Sequence, residues 1–151
     1  MPMPPPFTVR VLGWNDASPL ARPVRETVFV REQAVPLEME WDEWDARCDH
    51  AVALDSAGRP IGTGRLLPGG RIGRMAVLKE WRGQGVGAAL LRALLDRARE
   101  RGLEKVVLHA QKQAMGFYLR FGFSVLGEEF FEAGIPHRQM ALELSREPRP
   151  G

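Results

Sequence analysis

Cysteine is almost absent from this chain, since Cys48 is the only one among 151 residues. A single cysteine excludes an internal disulfide and is typical of a protein kept in a reducing compartment. The sequence also lacks an apolar run as long as a membrane span, and its start lacks the basic and apolar regions of a signal peptide. We therefore expect a cytoplasmic protein without a membrane-spanning segment.

An excess of one charge is missing as well. The 21 basic and 19 acidic side chains leave a net charge of +2. Because the two signs are interleaved along the chain, there is no basic stripe of the kind that binds nucleic acid. The length, with 44% hydrophobic and 26% charged residues, predicts one globular domain, and we expect no bound metal.

Hydrophobic periodicity predicts an α/β domain built as a mixed sheet with helices on its faces. We expect the domain to span residues 7–144, between a disordered proline-rich start (1–6) and a flexible tail (145–151). The predicted order is β-α-β-β-β-α-β-α-β-β, in which the strand after the long helix runs parallel to the strand before it. Strands are predicted at 7–12, 50–55, 60–67, 71–77, 105–110, 123–131 and 137–144, and helices at about 15–33, 86–101 and 114–121.

Two helices carry more detailed expectations. The long helix has an apolar stripe with a period of 3.6 residues, which we expect to be buried. In the first helix, Pro23 fits only within the first turn. The stripe of the long helix consists of Val86, Leu90, Leu91, Leu94, Leu95 and Ala98.

A glycine-rich stretch, Arg82-Gly83-Gln84-Gly85-Val86-Gly87, joins a predicted strand to the long helix. Glycines allow close approach of a ligand to the backbone, and the helix directs its free N–H groups and the positive end of its dipole at the same loop. This arrangement predicts an anion site suited to a pyrophosphate.

Two nucleotide-binding patterns compete for this loop. A Walker-type site needs a Gly-Lys pair, and the chain contains none. A dinucleotide-binding pattern, Gly-x-Gly-x-x-Gly/Ala, is matched literally from Gly83 to Ala88. That pattern normally follows its strand directly and lies in a repeated βαβ architecture. Here the strand ends at Val77 and the repeat is missing, so the dinucleotide interpretation is the weaker one.

The stretch Arg82-x-x-Gly85-x-Gly87 resembles the acetyl-CoA signature of the GNAT N-acetyltransferases, Gln/Arg-x-x-Gly-x-Gly/Ala. A second resemblance is a strand and short helix that end in Gly-Phe, here Ala114-x-x-Phe117-Tyr118-x-x-x-Gly122-Phe123. The two motifs occur at matching spacing, and the resemblance as a whole covers about residues 7–144. The resemblance implies a GNAT domain that moves an acetyl group from acetyl-CoA to a primary amine of a small molecule or peptide.

The resemblance also implies roles for particular residues. Tyr118 is the general acid that protonates the leaving sulfur, and Gln111 stands where the family often has a coenzyme A-binding asparagine. Main-chain groups of the strand and the glycine loop hold the pantetheine and the pyrophosphate. The implied cofactor-binding residues are Met75, Ala76, Val77, Arg82, Gly83, Gln84, Gly85, Val86, Gly87, Ala88, Gln111 and Tyr118.

The general base is harder to place, because the strand before the loop lacks the glutamate that many family members carry there. His137 is a candidate base or substrate contact; it follows a late loop, 132–136, that we expect to overhang the acceptor cleft, and a plain histidine at the strand edge is the alternative. Glu40 is a second candidate, and a water chain without a single base is an alternative. Further candidates are Asp42, Asp45 and His109.

The acidic run 38–45 is open to two interpretations. It is either a wall that attracts a cationic amine or a solvated loop or short helix with its two tryptophans packed beneath. Rivals to the enzyme interpretation are a coenzyme A-binding sensor without catalysis and a transferase of a longer acyl group. The late strands would also allow a homodimer.

Overall fold

The computed structural model describes residues 6–40 and 42–144 and contains one mixed sheet of seven strands in the order β1-β2-β3-β4-β5-β7-β6. The predicted α/β class is confirmed, and the predicted elements occur in the predicted order, with a further short helix at Leu37–Glu40 in the acidic run. The strands are β1 (Phe7–Leu12), β2 (Asp49–Asp55), β3 (Pro60–Leu66), β4 (Arg71–Val77), β5 (Lys105–Gln111), β6 (Ser124–Glu132) and β7 (Ile135–Glu143). The α-helices are α1 (Trp14–Arg25), α2 (Leu37–Glu40), α3 (Val86–Glu100) and α4 (Met115–Arg120).

The sheet is antiparallel except between β4 and β5. These two strands run parallel, as predicted, but they pair only at Arg71 with Val107 and at Ile72 with Leu108. Beyond those pairs, β4 remains paired with β3 and β5 remains paired with β7, so the C-terminal halves of β4 and β5 separate. The separation opens the middle of the sheet.

Helix α3 covers one face of the sheet with the apolar stripe that the sequence predicts. All six residues of the stripe are buried, from Val86 to Ala98. The glycines of β3 allow the helix to approach closely, since a Cβ on Gly62 would lie 2.9 Å from Val86 and 3.0 Å from Leu90. Helix α4 lies on the same side, with Phe117 3.7 Å from the Cβ position of Gly87.

Helix α1 lies on the opposite face and corrects the expectation for Pro23. The helix begins at Trp14, so Pro19 and Pro23 both lie in its interior, and it continues as a π-helix over Glu26–Glu32. Each proline removes one main-chain hydrogen bond from the helix. Complete burial of Ala17 and Ala21 and near-complete burial of Val24 offset that loss, so tertiary packing overrides local propensity.

The acidic run forms α2 and then a 3₁₀ turn over Glu43–Arg47. The expectation of tryptophans packed beneath it is wrong for Trp44, whose side chain is 41% exposed. Asp45 is the buried residue instead. Trp41 lies outside the described residues, as do residues 1–5 of the disordered start predicted at 1–6 and the flexible tail predicted at 145–151.

Strands β6 and β7 form a hairpin through Ala133 and Gly134, both of which have positive φ, at 49° and 76°. The hairpin corrects the expected loop before His137, because only Ala133 and Gly134 form the turn and β7 begins at Ile135. His137 is the third residue of β7, pairs with Phe130 on one side and Gln111 on the other, and is 7% exposed.

A buried ion network ties α1 to the sheet. Arg25 donates two hydrogen bonds to Asp45, at 2.8 and 3.1 Å, and Arg65 of β3 donates one to the same carboxylate at 2.8 Å. The three residues Arg25, Asp45 and Arg65 are 1%, 2% and 6% exposed, respectively. Burial alone would raise the pKa of Asp45, but the hydrogen bonds and charges of Arg25 and Arg65 outweigh it and lower the pKa.

We predict that Asp45→Asn destabilises the fold by about 3–5 kcal/mol at pH 7, because it leaves two buried arginines short of a counter-charge. Since the folded pKa of Asp45 is lowered, its contribution is complete above the ordinary aspartate value of about 4 and is lost as the pH falls below it. Urea unfolding between pH 7 and pH 3 measures both effects.

The control is Glu43→Gln in the same turn, which removes an exposed carboxylate and should change stability by less than about 0.5 kcal/mol. A difference between wild type and Asp45→Asn that stays the same down to pH 3 would show that the carboxylate charge is not what stabilises this contact.

Candidate active site

A cavity of about 550 Å³ lies where β4 and β5 separate. Ala114 and Tyr118 form part of its wall on the α3 and α4 side, and Phe29 and Trp44 form part of it on the α1 side. Alternate residues of a strand point to opposite faces of the sheet. On β3, Gly62 contacts α3 and Arg65 contacts the ion network beside α1, so these two helices cover opposite faces. The cavity therefore connects the two faces of the sheet.

The glycine loop lies next to the end of β4. Gly83 and Gly85 have φ of 77° and 87°, and a Cβ added to either would meet nothing within 4 Å. Gly85 caps α3, and no side chain among the described residues caps the first N–H groups of that helix. The loop thus presents open space and helical N–H groups, as an anion site requires.

Arg82 fastens this loop to two neighbouring elements. Its Nε donates to the Val77 carbonyl at 3.0 Å, and its Nη2 lies 2.9 Å from both carboxylate oxygens of Glu32. Gln84 donates to the Glu80 carbonyl at 3.0 Å.

Strand β4 carries a bulge beside the cavity. Thr63 pairs with Ala76 and Arg65 with Gly73, so β4 has one residue more than β3 in this interval. Arg74 lies in the bulge with φ of 51°. A bulge increases local twist, which turns the segment from Met75 to Val77 away from β5.

Tyr118 reaches the cavity from α4. It is 8% exposed, and its ring packs edge-on against Phe117 and Phe123 at centroid distances of 5.0 and 5.7 Å. Burial raises the pKa of the phenol to about 12. Tyr118 therefore keeps its proton throughout the physiological range and is a donor rather than a base.

Gln111 lies at the end of β5, on the cavity wall. Its amide exchanges hydrogen bonds with Gln33, at 2.8 and 3.2 Å, and its oxygen accepts a further bond from Gln113 at 2.6 Å. The amide pair links Gln33, the residue that follows the π-helix, to the sheet across the α1 side of the cavity.

The candidate bases divide into two groups. Asp42 and Asp45 are held by arginines: Arg65 donates to Asp42 at 2.7 and 2.8 Å, and that hydrogen bond is the main reason that the pKa of Asp42 is lowered. The side chain of Glu40 lies outside the described part of the chain. His109 and His137 both line the cavity.

Sequence reasoning missed Glu132, which joins the two histidines. Its Oε1 contacts His109 Nδ1, and its Oε2 lies 3.9 Å from His137 Nε2. Arg71 completes the group, with Nη2 2.8 Å from His109 Nδ1 and 3.5 Å from Glu132 Oε1. The signal was present in Ala133-Gly134, a two-residue hairpin turn of a kind that places the flanking strands opposite each other.

Among residues 6–40 and 42–144, no helix is long and apolar enough to span a membrane. Within the same ranges, no group of three or more histidine, cysteine or acidic side chains is arranged to hold a metal ion.

Comparison with known proteins accounts for this architecture. Residues 19–144 match the family model described as acetyltransferase (GNAT) domain. YjcF of Bacillus subtilis, named as an uncharacterized N-acetyltransferase, is 46% identical over 121 residues, which are 78% of this chain and 86% of that protein.

Solved structures agree with that assignment. An acyl-CoA N-acyltransferase from Pseudomonas aeruginosa superposes with a TM-score of 0.80 at 30% identity, covering 89% of this chain and 98% of its own. Escherichia coli ElaA superposes with a TM-score of 0.79 at 26% identity, over 89% of this chain and 98% of its own. The chain therefore belongs to the GNAT family and is an acyl-CoA-dependent N-acetyltransferase.

Proposed function

We propose that the protein transfers the acetyl group of acetyl-CoA directly to a primary amine of a small molecule or peptide, within a ternary complex. The observation that carries this proposal is the cavity of about 550 Å³ that passes through the sheet between β4 and β5. A passage open to both faces allows two substrates to enter from opposite sides and to meet at the gap. Orientation of this kind supplies much of the rate of a two-substrate reaction.

Acetyl-CoA fits the α3 side of this passage. The pyrophosphate would lie on the N–H groups of Gly83 to Ala88. Within this loop, Gly83 and Gly85 have positive φ and open space beside them. The pantetheine would run along Met75 to Val77, where β4 has no strand partner on its β5 side among the described residues. Glu32 and the Val77 carbonyl hold Arg82 in place beside the loop, and the Glu32 carboxylate balances its charge.

Tyr118 is the proton donor in this proposal. The thiolate of coenzyme A is a better leaving group when a proton reaches the sulfur as the C–S bond breaks. Tyr118 lines the cavity from the coenzyme side and keeps its proton, because burial raises its pKa to about 12.

Direct transfer is favoured over an acyl-enzyme intermediate. Cys48 is buried at 5% exposure, and burial is the main cause that raises the pKa of its thiol to about 11. A thiol that stays protonated is a poor nucleophile, and Cys48 is not among the residues of the cavity wall.

Gly85→Asp is predicted to weaken acetyl-CoA binding by at least roughly tenfold, because the new carboxylate fills the open space and repels the pyrophosphate. Isothermal titration calorimetry with acetyl-CoA measures the loss. Gly102→Asp is the matched control, since Gly102 follows the other end of α3 with a similar φ of 75° and the same open surroundings.

Both glycine variants should lose comparable stability in thermal unfolding, because both force a side chain into positive φ. Acetyl-CoA binding that survives equally in the two variants would place the coenzyme elsewhere.

A wild type that binds coenzyme A but acetylates no amine in a broad panel would favour the sensor interpretation. Faster turnover of longer acyl-CoA thioesters would reassign the acyl group.

Tyr118→Phe is predicted to lower kcat by about 100-fold, a typical value for loss of a general acid. Acetyl-CoA affinity and thermal stability should stay near wild type, because phenylalanine keeps the ring contacts with Phe117 and Phe123. Release of free thiol, followed with an amine identified in the panel, measures the rate. An unchanged kcat would remove Tyr118 from the chemistry.

A further inference from the structure

The hydrogen bond at His137 fixes which of its ring nitrogens carries the proton. Nδ1 lies 2.7 Å from the carbonyl oxygen of Ile135, two residues earlier on β7. A carbonyl oxygen only accepts hydrogen bonds, so Nδ1 must be the donor. In the neutral ring, Nε2 is therefore unprotonated and has a lone pair available to accept a proton.

The two oxygen atoms of the Glu132 carboxylate have different neighbours. Its Oε1 is engaged by His109 Nδ1 and lies 3.5 Å from Arg71 Nη2. Its Oε2 faces His137, with 3.9 Å between Oε2 and Nε2. The contacts at Oε1 hold the carboxylate in one orientation, in which Oε2 is directed at His137. Glu132 and His137 both line the cavity.

The distance of 3.9 Å between Oε2 and Nε2 is too long for a hydrogen bond and joins two acceptors. If one nitrogen atom lies about 2.8 Å from each of the two acceptors, the angle Oε2–N–Nε2 at that nitrogen is roughly 90°. A primary ammonium group has three N–H donors and can serve both acceptors together. A quaternary ammonium has none and cannot.

We infer that the ammonium group of the acceptor binds between Glu132 Oε2 and His137 Nε2, and that His137 removes its proton. This inference rests on the proposed function and identifies the amine subsite and the base. Glu132 on β6 contacts His137 directly, and His109 on β5 and Arg71 on β4 contact Glu132. The other charged or titratable groups on the wall of the same cavity are Asp42, Arg65, Arg74 and Tyr118. The ring of Phe130 stacks on His137 at a centroid distance of 6.0 Å.

The proton balance is complete with groups already named. His137 Nε2 takes one proton from the ammonium, and the imidazolium then donates to Glu132 Oε2. The neutral amine forms the C–N bond with the thioester carbon, the C–S bond breaks, and the sulfur takes a proton from Tyr118. The second amine proton restores Tyr118, and His137 returns its proton to solvent.

The tautomer and the subsite can be tested without acetyl-CoA. The chain has three histidines, so ¹⁵N-histidine labelling gives a simple NMR spectrum in which His137→Gln identifies one ring. We expect neutral His137 to carry its proton on Nδ1. We expect n-butylammonium to shift its Nε2 resonance and tetramethylammonium, which has the same charge and no N–H, to leave it unchanged.

Three NMR results would overturn the inference: a proton on Nε2 of neutral His137, an equal response to the two cations, or a response confined to other histidines. Because none of these depends on coenzyme A, they are distinct from failure of the proposed function, which the calorimetric titration detects.

Kinetics with n-butylamine as the acceptor probe separate a base from a structural residue. His137→Gln should lower kcat/KM by about 100-fold at pH 7 and bind acetyl-CoA as wild type does. The defect should shrink as the pH approaches the pKa of the amine, because a neutral amine needs no base to activate it. A defect of equal size at every pH would contradict the assignment.

Two more variants complete the test. Glu132→Gln should raise KM for the amine more than it lowers kcat, because it removes the charge that pairs with the ammonium. Gln139→Asn is the matched control, two residues further along β7 and outside the cavity wall, and should behave as wild type. An unchanged KM in Glu132→Gln would remove that carboxylate from the subsite.

Discussion

The incomplete pairing of two parallel strands is the constraint on which the rest of the structure depends. Strands β4 and β5 share only two register pairs, and each is held by its other neighbour along the remainder of its length. Unpaired main-chain groups are costly when they are buried and are useful when a ligand can meet them. The bulge at Arg74 sustains the separation, and the cavity, the glycine loop and Tyr118 all lie around it.

Elements whose burial repeats with a simple period were predictable from the sequence. Strand β4 has the predicted bounds, and the apolar stripe of α3 is buried at every predicted position. The glycine loop was predictable because its chemistry is local: its positive-φ residues and the following helix are contiguous in the chain. The parallel relation of β4 and β5 followed from the helix between them.

Features set by contacts distant in sequence were not predictable in the same way. Pro23 lies inside α1 because packing of that helix outweighs two missing hydrogen bonds, and packing cannot be read from a local pattern. Glu132 joins His137 through hairpin register and joins His109 through a neighbouring strand. The pairing of Asp45 with Arg25 and Arg65 spans 20 residues in each direction.

These distant contacts also change which acid attracts the acceptor. The run 38–45 was a candidate wall for a cationic amine, yet Asp42 and Asp45 are neutralised by arginines whose hydrogen bonds and charges keep their pKa values low. A carboxylate that already has a close guanidinium partner offers little field to a second cation. Glu132 differs, because its cationic neighbour Arg71 lies on Oε1 while Oε2 faces His137. In the inferred complex, the electrostatic attraction for the amine therefore lies at the tip of the β6–β7 hairpin, beside His137, rather than in the acidic run.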